Sequence, residues 1–219
     1  MDVYSTTENF TRRALWAQID LDAAAHNMQV IRRHVGPDVR IAAVVKANAY
    51  GHGAVELART FAENGADCFA VSSLDEAVEL RRYAGITKNI FILGHTDGRR
   101  TEELLAYHIE PAVFNLKNAE YFSSEASRLG QTLQVHIAID SGMSHIGFLP
   151  DEESISVIKE IAALPRIEIR GIFTHFAVAD EKDKTFTHEQ FKRFMWVCSR
   201  LEDEGVHIPI RHCCNSAAT

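Results

Sequence analysis

The chain has 219 residues, 46% of them hydrophobic and 24% charged, enough to bury a sizeable core in one large domain or two small ones. Its formal net charge is −7, with lysines and arginines scattered rather than blocked, so the electrostatic footprint of a nucleic-acid or anionic-membrane binder is absent and small-molecule chemistry is favoured. No apolar run reaches the roughly 20 residues of a membrane span, and "MDVYSTTENFTRR" has neither the basic start nor the apolar stretch of a signal peptide, so a cytoplasmic location is expected.

In chain order, "ALWAQIDL" (14–21) is a first apolar run whose role stays open: a barrel strand, or a segment outside the barrel. Seven further runs follow: 41–47, 68–73, 89–94, 110–115, 133–140, 169–176 and 210–216. Their near-continuous apolar character is that of strands buried on both faces. Amphipathic segments lie between them. The segment 187–204 puts Phe191, Phe194, Met195, Cys198 and Leu201 on one stripe and stops at Gly205, and similar helices are expected to end at Gly65, Gly85 and Gly130. Strand then helix, repeated, predicts a single domain over 1–219 with a parallel sheet, an α/β TIM-type (β/α)8 barrel. Without an eighth strand the barrel is incomplete and has two unpaired edges. The four cysteines fit no metal or disulfide spacing and read as packed thiols.

Barrel chemistry sits at the C-terminal ends of the strands. The first run delivers Lys46 and Tyr50 there, the fifth Asp140 and the loop "SGMSHIGF" with Met143 and His145, the sixth His175, and the seventh Asn215 and Ser216. Alternation sets Ala42, Val44 and Lys46 on one face. An amine in a low-dielectric interior is more readily neutral, and a neutral amine can condense with an aldehyde such as pyridoxal phosphate. A lysine snorkelling from a strand end is the plainer reading, just as Ser216 reads as an ordinary N-cap, Tyr50 as a surface aromatic and His175 as a core histidine. A metal-dependent hydrolase is disfavoured, because the histidines show neither HxH nor HExxH; no metal is expected.

Together, "VVKANAYGHG", "IDSGM…IGF", "THFAVADE" and "RHCCNSAA" resemble the N-terminal barrel of bacterial alanine racemases and the related serine racemase domains of the vancomycin-resistance type, from about residue 12 to 219. The resemblance implies a homodimeric pyridoxal phosphate enzyme that interconverts L- and D-alanine for the cell wall. Lys46 then corresponds to the cofactor-binding lysine and one racemisation base, Tyr50 and Ser216, with Asn215 beside it, to the cofactor's phosphate site, and His175 to the histidine behind a second base. That second base is a tyrosine from a C-terminal β-domain, contributed across the dimer. By the same resemblance "ALWAQIDL" packs outside the barrel. The eighth strand and the C-terminal domain fall beyond Thr219, so this chain is expected to be a truncated form of low or no activity alone. Two departures stand out. His145 occupies the place of an arginine that steadies the cofactor and substrate carboxylate, and Ala138 that of the carbamylated lysine that holds this arginine. The losses are coupled: with no arginine at 145, nothing at 138 requires an anion. His145 and Met143 remain the substrate-side candidates. A non-catalytic pyridoxal phosphate carrier or a serine racemase domain are the alternatives.

Overall fold

The structure, a computed structural model, describes residues 15–219. Eight short parallel strands run in sequence: β1 (Ala42–Val44), β2 (Cys68–Val71), β3 (Ile90–Ile92), β4 (Ile109–Glu110), β5 (Ala112–Val113), β6 (Leu133–Ala138), β7 (Ile167–Phe173) and β8 (Ile210–His212). They pair as two four-stranded sheets, β1-β2-β3-β4 and β5-β6-β7-β8. The break between β4 and β5 is Pro111, which has no N–H to give to the ladder. Its carbonyl still accepts from the His136 amide at 3.0 Å, so the two sheets continue into one another. Taking β4 and β5 as one strand, seven strands line a barrel, and among the described residues nothing pairs with the outer edges of β1 and β8.

The candidate eighth strand at 14–21 is not one. Residues 15–20 form no ladder, and Leu15 is 86% exposed. The segment ends at Asp20, whose side chain accepts from the Ala23 amide and starts helix α1 (Leu21–Val35). The seventh run is also shorter than expected, because the chain leaves the ladder after His212 and turns at Ser216–Ala218. The other helices on the outside are α3 (Ala54–Glu63), α4 (Leu74–Glu79), α5 (Thr101–Ala106), α6 (Leu116–Arg128), α7 (Glu152–Ala163) and α8 (Thr185–Asp203), with α2 denoting the single turn Lys46–Tyr50. Gly85, Gly130 and Gly205 close their helices at positive φ, as the sequence predicts. No described helix is long and apolar enough to cross a membrane.

Alternation along each strand divides the side chains between two very unequal cores. Outward, Ala43, Val45, Phe69, Val71, Ile90, Ile92, Val135, Ile137 and Ile172 merge with helix residues such as Leu57, Leu80, Phe122, Ile158 and Phe194 into one cluster. Inward, only Ala112, Ala138 and Phe173 are buried together, with Leu93, Phe114 and Ile146 against them. Fold stability therefore lives between sheet and helices, and the barrel interior is left partly open. Of the cysteines, Cys198 is buried and Cys213 packs on the core, but Cys214 is exposed, because it follows the unpaired edge strand.

Two substitutions separate the faces. Phe69→Ala, in the outer core with no exposed surface, is expected to lower the unfolding free energy by about 3–5 kcal/mol. Val44→Ala, on the inner face of the neighbouring strand and 39% exposed, is expected to cost under about 1 kcal/mol. Urea unfolding followed by circular dichroism checks both.

Candidate active site at the barrel rim

Because every strand runs the same way, the chain segments that follow β1, β6, β7 and β8 emerge at one rim. Val45 ends the first strand. Its amide donates to Ala70 O (3.0 Å), and its side chain, 1% exposed, is locked in the outer core. The next residue, Lys46, lies beyond the ladder at the start of the single turn Lys46–Tyr50. It is half-buried, and its Nζ has neither a hydrogen-bonding nor an ion-pairing partner among the described residues.

The chain then does something L-residues avoid. Ala47, Asn48, Ala49 and Tyr50 all lie near φ +50, a full left-handed turn. Each such residue costs about 1–2 kcal/mol. Two side-chain acceptors and a glycine pair hold it. Asn48 Oδ1 accepts from the Ala54 amide (2.8 Å), Glu76 Oε1 accepts from the Ala47 amide (2.7 Å), and Gly51 and Gly53 absorb the exit at positive φ. Glu76 also accepts from the amide and hydroxyl of Ser72, at 2.8 and 2.7 Å, which ties the turn to the end of β2. Burial works to raise the Glu76 carboxyl, and these hydrogen bonds outweigh it, leaving the group below the ordinary carboxylate range. Tyr50, 61% exposed, carries its hydroxyl out of this turn without a protein partner.

His175 follows β7. The buried Gln190 on α8 holds its backbone, donating to His175 O (3.2 Å) and accepting from the Ala177 amide (2.9 Å). The ring itself is exposed rather than enclosed, because the seam beside the rim is open. Partial burial, then the charges of Lys46 and His145, lower its pKa, so the three side chains share one electrostatic neighbourhood and the imidazole is neutral at pH 7. The loop carrying Met143 and His145 folds back on β6: Asp140 Oδ1 accepts from the amides of Gly142 (3.0 Å) and Ser144 (2.9 Å). Gly147 permits that return, since a Cβ there would lie 2.3 Å from the Asp140 amide nitrogen. Both Met143 and His145 are exposed at its tip. Ala138 lies among the apolar interior residues with Phe173 and Ile146, an environment that suits an anion poorly.

At the end of β8 the cap is Asn215, not Ser216. Asn215 accepts from the Ala218 amide (3.2 Å) and donates to Phe176 O (3.3 Å), which links this rim segment to that of His175. Ser216 is exposed, and its hydroxyl makes no hydrogen bond among the described residues.

Below the rim lies a polar set that was not singled out in the sequence. His136 Nε2 meets Glu110 Oε2 at 2.6 Å, and His136 Nδ1 meets His212 Nε2 at 3.0 Å. Asn89 also donates to Glu110. Phe91 stacks on His136, Phe173 stacks on His212, and Gly171 makes room for the His136 ring. Burial, then His136, pushes His212 down to about 3. Burial acts to raise Glu110, but the His136 hydrogen bond and charge, with Asn89 and Arg170, leave it below its ordinary value. The signal was available: Gln134 and His136 are the polar residues on the inward face of an otherwise apolar strand. A cavity of about 790 Å³ opens at the opposite end of the barrel, lined by Arg81, Asn89, Glu110 and Glu168. Arg81 there is spent on the carbonyls of Tyr107, Ile86, Lys88 and His108, so the unpartnered amine and the neutral imidazole lie at the other rim.

These features define a class: a parallel β/α barrel whose described residues give seven strands with unpaired outer edges and, after the first strand, a lysine amine without a hydrogen-bonding or ion-pairing partner among them. Within that class the chain belongs to the family described as alanine racemase, N-terminal domain, which matches residues 19–219. The alanine racemase of Clostridium perfringens is 51% identical over 206 residues, 94% of this chain and 53% of the relative. The alanine racemase structure from Clostridium difficile 630 superposes with a TM-score of 0.90 at 41% identity, covering 93% of this chain and 53% of that one. A histidine racemase from Leuconostoc mesenteroides matches with a TM-score of 0.79 at 29% identity, over 90% of this chain and 52% of that one. The chain spans about half the length of the curated relatives it matches.

His212 and Glu110 both bind protons less readily folded than unfolded. Stability is therefore present above their unfolded pKa values and is lost as pH falls. Between pH 6.5 and 3, His212 contributes a slope of up to about 1.4 kcal/mol per pH unit, with Glu110 adding to it at the acid end. Urea midpoints measured across this range are expected to fall with acidification, and His212→Phe, which keeps the stacking on Phe173, to flatten the dependence.

Proposed function

We propose that this barrel binds pyridoxal phosphate through Lys46 and serves the racemisation of L-alanine to D-alanine, the monomer class used in bacterial cell walls. The observation that carries the reading is Lys46 itself, a half-buried amine without partners at the rim of a racemase-family barrel. The residues around it suit the cofactor's parts. Ala42, Val44 and Ala70 leave the interior beneath the amine open to a planar ring, and Tyr50 and Ser216 have hydroxyls free to donate to a phosphate, with Asn215 fixing the Ser216 segment.

When bound, pyridoxal phosphate supplies the electron sink that makes an amino acid's α-proton removable. Lys46 Nζ would hold the cofactor by its aldehyde carbon and, as a neutral amine, would be placed to take or return a proton on one face of the α-carbon. Racemisation needs a second acid/base group on the other face, since a single group would mostly return its own proton. We assign that group to a part of the enzyme outside this barrel, contributed in a homodimer, with neutral His175 orienting it by a hydrogen bond. We assign the substrate's carboxylate and side chain to His145 and Met143, which are exposed at the tip of the loop after β6. His145 is a shorter and less constant cation than an arginine, so its grip on a carboxylate is correspondingly weaker. Both alanine and histidine racemases share this barrel, so the choice of amino acid is made largely by groups added to it.

Incubation with pyridoxal phosphate followed by borohydride is expected to leave a stable adduct on the peptide carrying Lys46, and none in Lys46→Ala. Label elsewhere, or an unchanged yield in the variant, would overturn the assignment. With the cofactor bound, D-alanine formation by the barrel alone is expected to be weak and to rise when the remainder of a family member is supplied. An adduct without any D-alanine formation under either condition would favour a cofactor carrier.

A further inference from the structure

The stretch Ser73-Leu-Asp-Glu76 has the spacing of a capping box, in which the serine bonds the amide of the fourth residue and the glutamate reaches back to the serine amide. Its two halves form unequally. Ser73 Oγ accepts from the Glu76 amide at 3.3 Å, and Ser73 caps α4 as expected. The Glu76 carboxylate keeps the Ser73 backbone as one partner but spreads to three further donors. One oxygen accepts from both donors of Ser72, and the other leaves the helix altogether to accept from the amide of Ala47, 29 residues away and next to Lys46.

We propose that Glu76 is a positioning residue for Lys46. The peptide that it grips is the first of the left-handed turn, where an amide without a partner would combine with four strained residues to release the chain. With both ends of the carboxylate occupied, the turn is pinned to the end of β2, and Lys46 is held between that pin and Val45 in the ladder. The action of Glu76 runs through the Ala47 amide. A neutral amide at 76 cannot copy it, because one of its two ends would be an NH2 facing a backbone N–H. The proposal concerns the turn and rests on the reading of Lys46 as the cofactor-binding amine only for its effect on chemistry.

Four proteins decide it: the unaltered chain, Glu76→Ala, Glu76→Gln and Ser73→Ala, the last removing the α4 cap while leaving the carboxylate in place. Each is followed by amide exchange at Ala47 and by the rate of borohydride-trapped pyridoxal phosphate adduct at Lys46. Glu76→Ala is expected to exchange the Ala47 amide faster and to trap the adduct about tenfold more slowly. Glu76→Gln is expected to fall between, and it carries the comparison should the alanine variant fail to fold. Ser73→Ala is expected to stay within about twofold of the unaltered chain on both readouts, because its loss is confined to the α4 cap. The proposal is overturned if the Glu76 variants keep the Ala47 amide protected, or if Ser73→Ala loses as much as they do. An unaltered chain that forms no adduct at all would sink the cofactor reading, while the exchange at Ala47 would still decide whether Glu76 holds the turn.

Discussion

Val45 is where the barrel hands over to its chemistry. Its side chain is clamped in the outer core, its amide belongs to the β1–β2 ladder, and its carbonyl accepts from the Ala49 amide at 2.9 Å inside the left-handed turn. The three attachments point in different directions and leave the residue no freedom. The lysine that follows inherits that rigidity at its Cα while its side chain stays without ties. A fixed root and an amine free of ties suit the covalent role proposed for Lys46.

The strain of the left-handed turn is supported from outside the turn itself. Glu76 from α4 and Asn48 from within the loop supply acceptors, and the ladder of β2 supplies the anchor. The loop after β6 follows similar logic with different parts: a carboxylate at Asp140 gathers two amides, and Gly147 allows the chain to return on itself. Gln190 and Arg193 of α8 brace the other side of the rim, on His175 O and Ser141 O. In each case rigid elements hold an irregular segment, so the unusual geometry sits on loops while the outer core provides the free energy.

Much of this was legible from residue order. The parallel strands and the helix stops at Gly85, Gly130 and Gly205 follow from periodicity and glycine placement, and each is present. The membership follows from motif residues around Lys46, His175 and Ser216, which occupy the same rim. What was hidden depended on side chains meeting across long sequence distances. "SLDE" reads as a local cap, and nothing in it announces that Glu76 bonds Ala47. Glu110 and His136 read as strand residues, because their partnership, and that with His212, is made by barrel curvature. The serine at 216 was read as a cap because caps are usually serines, whereas the neighbouring asparagine took the role and freed its hydroxyl.

Among the described residues the outer edges of β1 and β8 stay unpaired, and that carries a consequence for what the barrel can join. Two bare strand borders flank an inner face on which Val44 still meets water, and such borders invite any extended peptide that drifts past. The same borders are where the barrel could gain another strand, in register with Ala42–Val44 or Ile210–His212, without disturbing the outer core that carries its stability.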